Sequence, residues 1–340
     1  MTVLVTADIH LSANVRDAYR HEFMKRFPAL AKKLGAELAI ILGDLCEEKD
    51  SHPAELVNTL VDHLYALAAV CPVIVLQGNH DYLSSPDNPY FSFLRRIEGI
   101  SWIGRPTSIQ ELTNVPATLS RSLGRAIFVP FSPNYERDWA DINFKFYDWM
   151  FAHQTFANAL SDSGFKLEGV PLSYFPKNLQ IISGDIHRPQ TLGPLTYVGA
   201  PTLIDFGDSF EPRVLLIEDN GKIRSIPCTG PQKRLVEIKS IAELAKQNQL
   251  TVGDILKVRL QIAPGQHAEW PELAAKVRAW GVDNGYLIHL VQPVVTALER
   301  GSAKAIKAKA IKSDEQLIQE YAKSRGLDER TEKTGLTLLT

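Results

Sequence analysis

The sequence predicts a layered α/β fold with a smaller α/β unit after it, and three observations carry that reading. Short apolar runs alternate with helical periodicity through the first 80 residues. Those runs end in polar clusters that hold Asp, His and Asn beside glycine. A break at Thr229-Gly230-Pro231 then opens a second stretch of strand and helix patterns. Strands separated by helices of this length build layered sheets.

The elements follow in order. Val3–Ala7 is the first strand. Phe23, Phe27, Leu30, Ala31 and Leu34 recur at helical spacing, and Gly35 stops that helix. Leu38–Leu42 is the second strand. Pro53 opens a helix with Leu56, Leu60, Leu64 and Leu67 on one face; Pro72 ends it, and Val73–Leu76 is the third strand. From Pro86 to Gly124 the pattern loosens under Pro, Gly and Ser interruptions. Ala126–Val129, Trp149–Ala152 and Leu179–Ser183 are further strands. Leu195–Val198, Val214–Ile217 and Lys222–Ile226 read as antiparallel β structure, the last two joined through Asp219-Asn220-Gly221. In the second stretch Leu235–Ile238, Ile255–Ile262 and Tyr286–Val291 read as strands, and Ile241–Gln247 and Pro271–Trp280 as helices. The expected units are 1–230, 231–300 and a tail, 301–340.

Composition removes several function classes. No apolar run is long enough to cross a bilayer, so no membrane partner is expected. The opening residues lack the basic region and cleavage site of a secretory signal. Three widely spaced cysteines, Cys46, Cys71 and Cys228, make neither a disulfide framework nor a thiolate zinc site. A cytoplasmic location is expected. The net charge of −2 conceals an asymmetry: 20 basic and 26 acidic residues through Gln232, then 17 and 13. The two parts carry −6 and +4.

The chemistry gathers where strands end. Asp8-Ile9-His10 follows the first strand, Gly43-Asp44 the second, and Gly78-Asn79-His80-Asp81 the third. Later strands deliver His153 and Gly184-Asp185-Ile186-His187. The carboxyl ends of parallel strands line one crevice, so residues far apart in sequence converge there. Carboxylates, imidazoles and one amide oxygen suit Mn²⁺, Fe²⁺, Zn²⁺ or Mg²⁺. Seven such ligands suffice for two ions sharing a carboxylate, an arrangement suited to attack on a phosphoryl centre.

Other candidates carry less. His21, His52, His63, His267 and His289 lack a companion at ligand spacing, and Cys46 reads as a small buried apolar group. Arg188 suits a phosphate or a surface acid equally, and Tyr82 a splayed base or loop packing. The aromatics between Tyr135 and Phe151 read as core. Lys304, Lys307, Lys309 and Lys312 suit a solvated linker or phosphate contacts, Asp314–Arg325 is an amphipathic segment, and Ile311, Leu317, Ile318 and Tyr321 give the tail a helix with an apolar stripe.

The series ADIH, LGDL, GNHD, AHQT and GDIH resembles the calcineurin-like metallophosphoesterases. With TYVGAPTLIDFGD (Thr196–Asp208) it is similar to SbcD-type nuclease subunits of double-strand-break-processing complexes. The resemblance covers roughly residues 1–210. It implies a four-layer α/β/β/α sandwich with a small α/β capping domain and a C-terminal helical tail. It implies that Asp8, His10 and His187 hold one ion, that Asp44 bridges, and that Asn79, His153 and Asp185 hold the second. His80 would contact the scissile phosphate and Asp81 would orient His80. Two divalent ions are implied, Mn²⁺ foremost, with Mg²⁺, Fe²⁺ or Zn²⁺ as alternatives. The implied partners are DNA and an SbcC-like ATPase bound through the tail, with a homodimer inside a heterotetramer. One departure stands out: Asp185 occupies a position where the family usually has histidine. A small-molecule phosphodiesterase or phosphatase of the same fold, and a scaffold with a weakened site, are the rival readings.

Overall fold

The computed structural model describes residues 2–295, except 50 and 86. The tail lysines and the segment 314–325 lie outside the described residues. The first sheet is built from β1 (Val3–Thr6), β2 (Leu38–Leu42), β3 (Val73–Leu76) and β4 (Ile100–Ile103), all parallel, with two antiparallel strands added at the β1 side. Helix α1 (Ala18–Leu34) connects β1 to β2, and α2 (Ala54–Ala68) connects β2 to β3. Both cover the same face. Phe23, Met24, Phe27 and Ala31 of α1 and Leu56, Leu60, Leu64 and Leu67 of α2 pack there against Leu4, Ala39, Ile41, Val73 and Val75. Each leucine so buried contributes about 1.5–3 kcal/mol. Gly35 caps α1 at φ 64°, a left-handed conformation in which a side chain would be strained.

The second sheet runs β5 (Thr107–Ser108), β6 (Ala126–Val129), β7 (Trp149–His153), β8 (Gln180–Gly184), β10 (Leu195–Tyr197) and β9 (Gln190–Leu192), in that spatial order. The remaining strands of the first sheet are β11 (Arg213–Ile217) and β12 (Ile223–Pro227). The two sheets face each other across a dry layer. Val3, Val5, Leu38, Ile40, Leu42, Ile74 and Leu76 meet Ala126, Phe128, Phe151 and Ile182. Strands buried on both faces read as unbroken apolar runs, which is why β1 to β3 were legible. The outer face of the second sheet is covered by aromatics: Trp139, Phe144 and Phe175 on or beside short helical turns, and Phe156 in the loop after β7. Core packing is thus the role of Trp139, Phe144 and Phe151, while Phe146 is exposed.

Two expectations change. Leu195–Tyr197 pairs parallel with β8 as well as antiparallel with β9; only its tight-turn neighbour fits the antiparallel reading. The stretch from 86 to 124 holds β4, β5 and α3 (Ala117–Leu123), elements of two to seven residues that are too short to show a period.

Beyond a one-turn helix, α4 (Tyr135–Asp138), the last elements are β13 (Lys233–Ile238), β14 (Ile255–Ile262), α5 (Trp270–Asp283) and β15 (Leu287–Val295). The three strands form a sheet of their own over an apolar core with Val236, Leu256, Val258, Leu260 and Val277. Lys233 ties this sheet to the first unit. Its ammonium lies 3.0 Å from Asp17 and donates to the Ile204 carbonyl at 3.1 Å.

Candidate metal centre

Five loops at the carboxyl ends of β1, β2, β3, β7 and β8 bring together all nine residues picked from the sequence. Asp8, His10, Asp44, Asp81 and His153 are buried, and His80 and His187 are partly so. The loops touch through glycine. A Cβ on Gly43 would lie 2.7 Å from the Gly78 Cα, and one on Gly78 would lie 2.5 Å from the Asp44 nitrogen. Only hydrogen fits at either position.

The backbone at the ligands is unusual. Five non-glycine residues among those described have positive φ, and four are Asp8, His10, Asp44 and Asp185, at 52°, 50°, 53° and 82°. Left-handed backbone costs such residues roughly 1 kcal/mol or more each, and persists where the surroundings enforce it.

Histidine orientation is set from behind. His153 Nδ1 donates to the Leu42 carbonyl at 2.6 Å, leaving Nε2 toward Asn79 Oδ1 at 3.0 Å, Asp44 Oδ1 at 3.5 Å and Asp185 Oδ1 at 3.7 Å. His187 turns its Nδ1 to Asp162 at 3.3 Å, so its Nε2 meets His10 Nε2 at 3.1 Å. His10 Nε2 in turn lies 3.5 Å from Asp44 Oδ2. Asp44 therefore stands between two clusters, one around His10 and His187, the other around His153. Backbone carbonyls and carboxylates that fix the far nitrogen of a ring are a usual support for metal-binding histidines.

Asp81 corrects an expectation. It does not orient His80. Its carboxylate accepts three backbone N–H groups, from Gly78 at 2.7 Å, Asp44 at 2.9 Å and Leu45 at 3.0 Å. His80 Nδ1 instead donates to the Glu47 carbonyl at 2.5 Å. The reason is geometric: a fully buried carboxylate beside two glycine turns is surrounded by orphan amides, and these outcompete a ring that reaches solvent.

The sequence reading missed five supporting residues. Glu47 holds His80 through its carbonyl, and its carboxylate lies 3.6 Å from His10 Nδ1. Arg20, almost fully buried, donates to both the His10 carbonyl and Glu47 at 2.6 Å. Asp162 positions His187, the Thr155 hydroxyl donates to Asp185 Oδ2, and Lys233 lines the cavity. Gly199, at φ 80°, lets the Thr196–Asp208 segment run against His187: the Ala200 N–H donates to the His187 carbonyl at 2.9 Å. His63 and His52 are buried away from this centre, and Cys46 is fully buried.

The donor set fits cations. Asp8 Oδ2 is buried with no hydrogen-bond partner. Asn79 Oδ1, Asp44 Oδ1 and Asp185 Oδ1 converge on His153 Nε2, a cluster of acceptors that only a proton or a cation can reconcile. Turning the Asn79 amide would let its NH₂ donate to the two Asp44 oxygens at 3.0 and 3.1 Å; the oxygen-inward orientation is the one a cation requires. Three sets lie within ligand reach: Asp8–His10–His187, His10–Asp44–His80 and Asp8–Asp44–His153. Burial lowers the affinity of His153 for a proton, but the carboxylates of Asp44, Asp8 and Asp185 outweigh it and hold the ring proton up to about 9. Burial raises Asp44 as well. These protons occupy ligand positions. Cation binding must expel them, so apparent affinity will rise with pH below about 9, approaching tenfold per unit if one proton leaves. Calorimetry with Mn²⁺ in two buffers of different ionisation enthalpy measures that proton release; none between pH 6 and 8 would contradict it.

Residues 1–216 match the Calcineurin-like phosphoesterase family. The chain belongs to that family. Over 267 residues it is 24% identical to the 244L protein of Invertebrate iridescent virus 6, which bears the name of a phosphoesterase; the match covers 74% of this chain and 85% of that one. Two solved structures are distantly similar. The purple acid phosphatase PPD1 from yellow lupin (Lupinus luteus) seeds is 11% identical, covers 66% of this chain and 52% of its own, and has a TM-score of 0.38. A dimetal phosphatase from Danio rerio is also 11% identical, covers 67% and 99%, and has a TM-score of 0.36. The chain thus spans about half the length of the lupin enzyme. Among the described residues no helix of this phosphoesterase is long and apolar enough to cross a membrane.

In a calcineurin-like phosphoesterase two divalent ions would lower the pKa of a water and offset charge on the phosphoryl oxygens. Asp8, His10 and His187 would hold one, Asn79, His153 and Asp185 the other, and Asp44 both. Asp185 gives the second set a carboxylate oxygen where an imidazole would give nitrogen. Asp185→His is expected to stay active while shifting its preference toward Zn²⁺. Turnover measured against a panel of divalent ions tests this; an unchanged order of preference would contradict it.

Proposed function

We propose that this phosphoesterase is a DNA nuclease, hydrolysing phosphodiester bonds at DNA ends beside an SbcC-like ATPase. One observation carries the reading: Lys233, from the appended three-stranded sheet, lines the same cavity as His10, His80 and His187. An appended unit that reaches the catalytic cavity, its lysine paired there with Asp17, supplies a wall beside the site that suits a long polyanion better than a small ester.

The roles of the side chains follow from their bonds. His80, anchored through Nδ1, presents its other nitrogen to the cavity. Burial holds its pKa below the ordinary value, so the ring is neutral until an anionic phosphate arrives and favours a second proton. That proton is then available to the departing 3′ oxygen. Arg20 and Glu47 fix the His10 loop from below, and Asp162 keeps His187 turned inward. The ATPase contact would use the tail from 301 onward, with two nuclease chains in the assembly.

A second reading has its own support. The cavity measures about 530 Å³, within the range of small-ligand sites, and a small phosphodiester or phosphomonoester would fit. The deciding experiment supplies Mn²⁺ and compares end-labelled duplex and single-stranded DNA with a chromogenic phosphodiester and a nucleoside monophosphate. Cleavage of DNA to nucleotides or short oligomers supports the nuclease. Turnover of the small esters with intact DNA would overturn it in favour of the second reading.

A further inference from the structure

A second cavity, of about 660 Å³, lies on the carboxyl edge of the neighbouring strand. Strands β3 and β4 are parallel and in register, Leu76 opposite Ile103. The loops that leave them therefore start about 4.8 Å apart on one edge. The loop after β3 serves both cavities: it supplies Asn79 and His80 to the metal centre, folds back through the Tyr82–Pro89 bridge, and reaches the second cavity with Asn88 and Ser92.

Three groups there have no partner. The guanidinium groups of Arg95 and Arg105 are exposed and, among the described residues, make no ion pair or hydrogen bond. The indole N–H of Trp102 is likewise unused. Trp102 is half-buried, with its other side against the core near Phe91. Gly104 keeps its edge open, since a Cβ there would lie 3.2 Å from the indole nitrogen. The cavity also holds two acids, Asp87 and Glu111, and the Glu111 carboxylate accepts the Ser108 N–H at 2.8 Å. The two arginines balance those acids in formal charge but, among the described residues, are ion-paired to neither.

We propose that this cavity holds a single strand of nucleic acid continuing from the phosphate at the metal centre. Arg95 and Arg105 take backbone phosphates and Trp102 stacks a base. The inference rests on the nuclease reading and adds a direction to it: the strand leaves along the edge of β4. Planar guanidinium groups match phosphate oxygens, and an aromatic face accepts any base, so the contact is sequence-tolerant.

Binding of a fluorescent 12-nucleotide strand to the full chain, in Ca²⁺ at several salt concentrations, tests it. R95A/R105A should bind at least tenfold more weakly, with a log–log salt slope shallower by about 1.4, as expected for two lost phosphate contacts. R95K/R105K should recover much of the affinity. An unlabelled oligothymidylate should quench tryptophan emission in the wild type and less in W102F, while circular dichroism checks the fold. Equal affinity and slope in wild type and R95A/R105A would overturn the proposal, and if DNA is still cut the nuclease reading stands without it. Quenching by thymidine monophosphate at the affinity of the 12-mer would also overturn it, in favour of a nucleotide site. No oligonucleotide binding by the wild type would overturn the proposal, and cleavage of duplex DNA then decides the nuclease reading alone.

Discussion

Asp44→Asn is expected to reduce turnover about 10³-fold or more and to lower the content of bound divalent ion. Asp44 is the only side chain within 3.5 Å of both His10 Nε2 and His153 Nε2 among the hydrogen bonds and ion pairs of the described residues. An amide keeps the shape but surrenders a charge and one oxygen ligand. The several kcal/mol that paired cations supply to a phosphoryl transition state then largely disappears. The substitution also removes a buried carboxylate, so the protein should fold at least as well. Metal analysis, turnover on a chromogenic phosphodiester and thermal melting together test this. A variant with two ions and activity within tenfold of wild type would show that Asp44 is not shared.

Asp81→Asn should be the opposite case, failing in stability first. The carboxylate gathers the amides of Gly78, Asp44 and Leu45, which belong to two different loops. An asparagine must turn its NH₂ toward at least one of them, stranding a buried donor and losing charge-assisted bonds. The cost is about 3 kcal/mol, or a fall of roughly 5–10 °C in Tm. Turnover falls with it, because the Asp44 and Asn79 loops lose their common anchor. If Asp81 acted only on His80, the variant would instead keep its Tm and shift the pH profile. Melting and the pH dependence of kcat separate the two.

What the sequence disclosed follows from where each side chain sits. Ligands delivered by consecutive strands were legible because strand, glycine and polar group are contiguous: Leu42-Gly43-Asp44 is an example. Their supports come from elsewhere. Asp162 lies in a Ser-Asp-Ser-Gly turn with no local sign of its partner. Arg20 could have been found. It falls on the buried stripe of α1 with Phe23, Met24, Phe27 and Ala31, and a cation on an apolar stripe implies a buried acceptor. The role the resemblance implied for Asp81 does not appear because its carboxylate takes the backbone amides of Gly78, Asp44 and Leu45, while the His80 ring turns to the Glu47 carbonyl. Short elements such as β5 and α3 escaped because two or seven residues do not establish a period.

The left-handed backbone at Asp8, His10, Asp44 and Asp185 also decides which replacements the centre can accept. Glycine occupies that conformation without penalty and asparagine with little, and neither brings a buried charge. Asparagine at these positions would relieve backbone strain, whereas glycine at Asp8 or Asp44 would also strand the Asp185 or His80 N–H that the carboxylate accepts. The centre thus stores strain of roughly 1 kcal/mol per backbone position, held in place by the hydrogen bonds its own side chains accept.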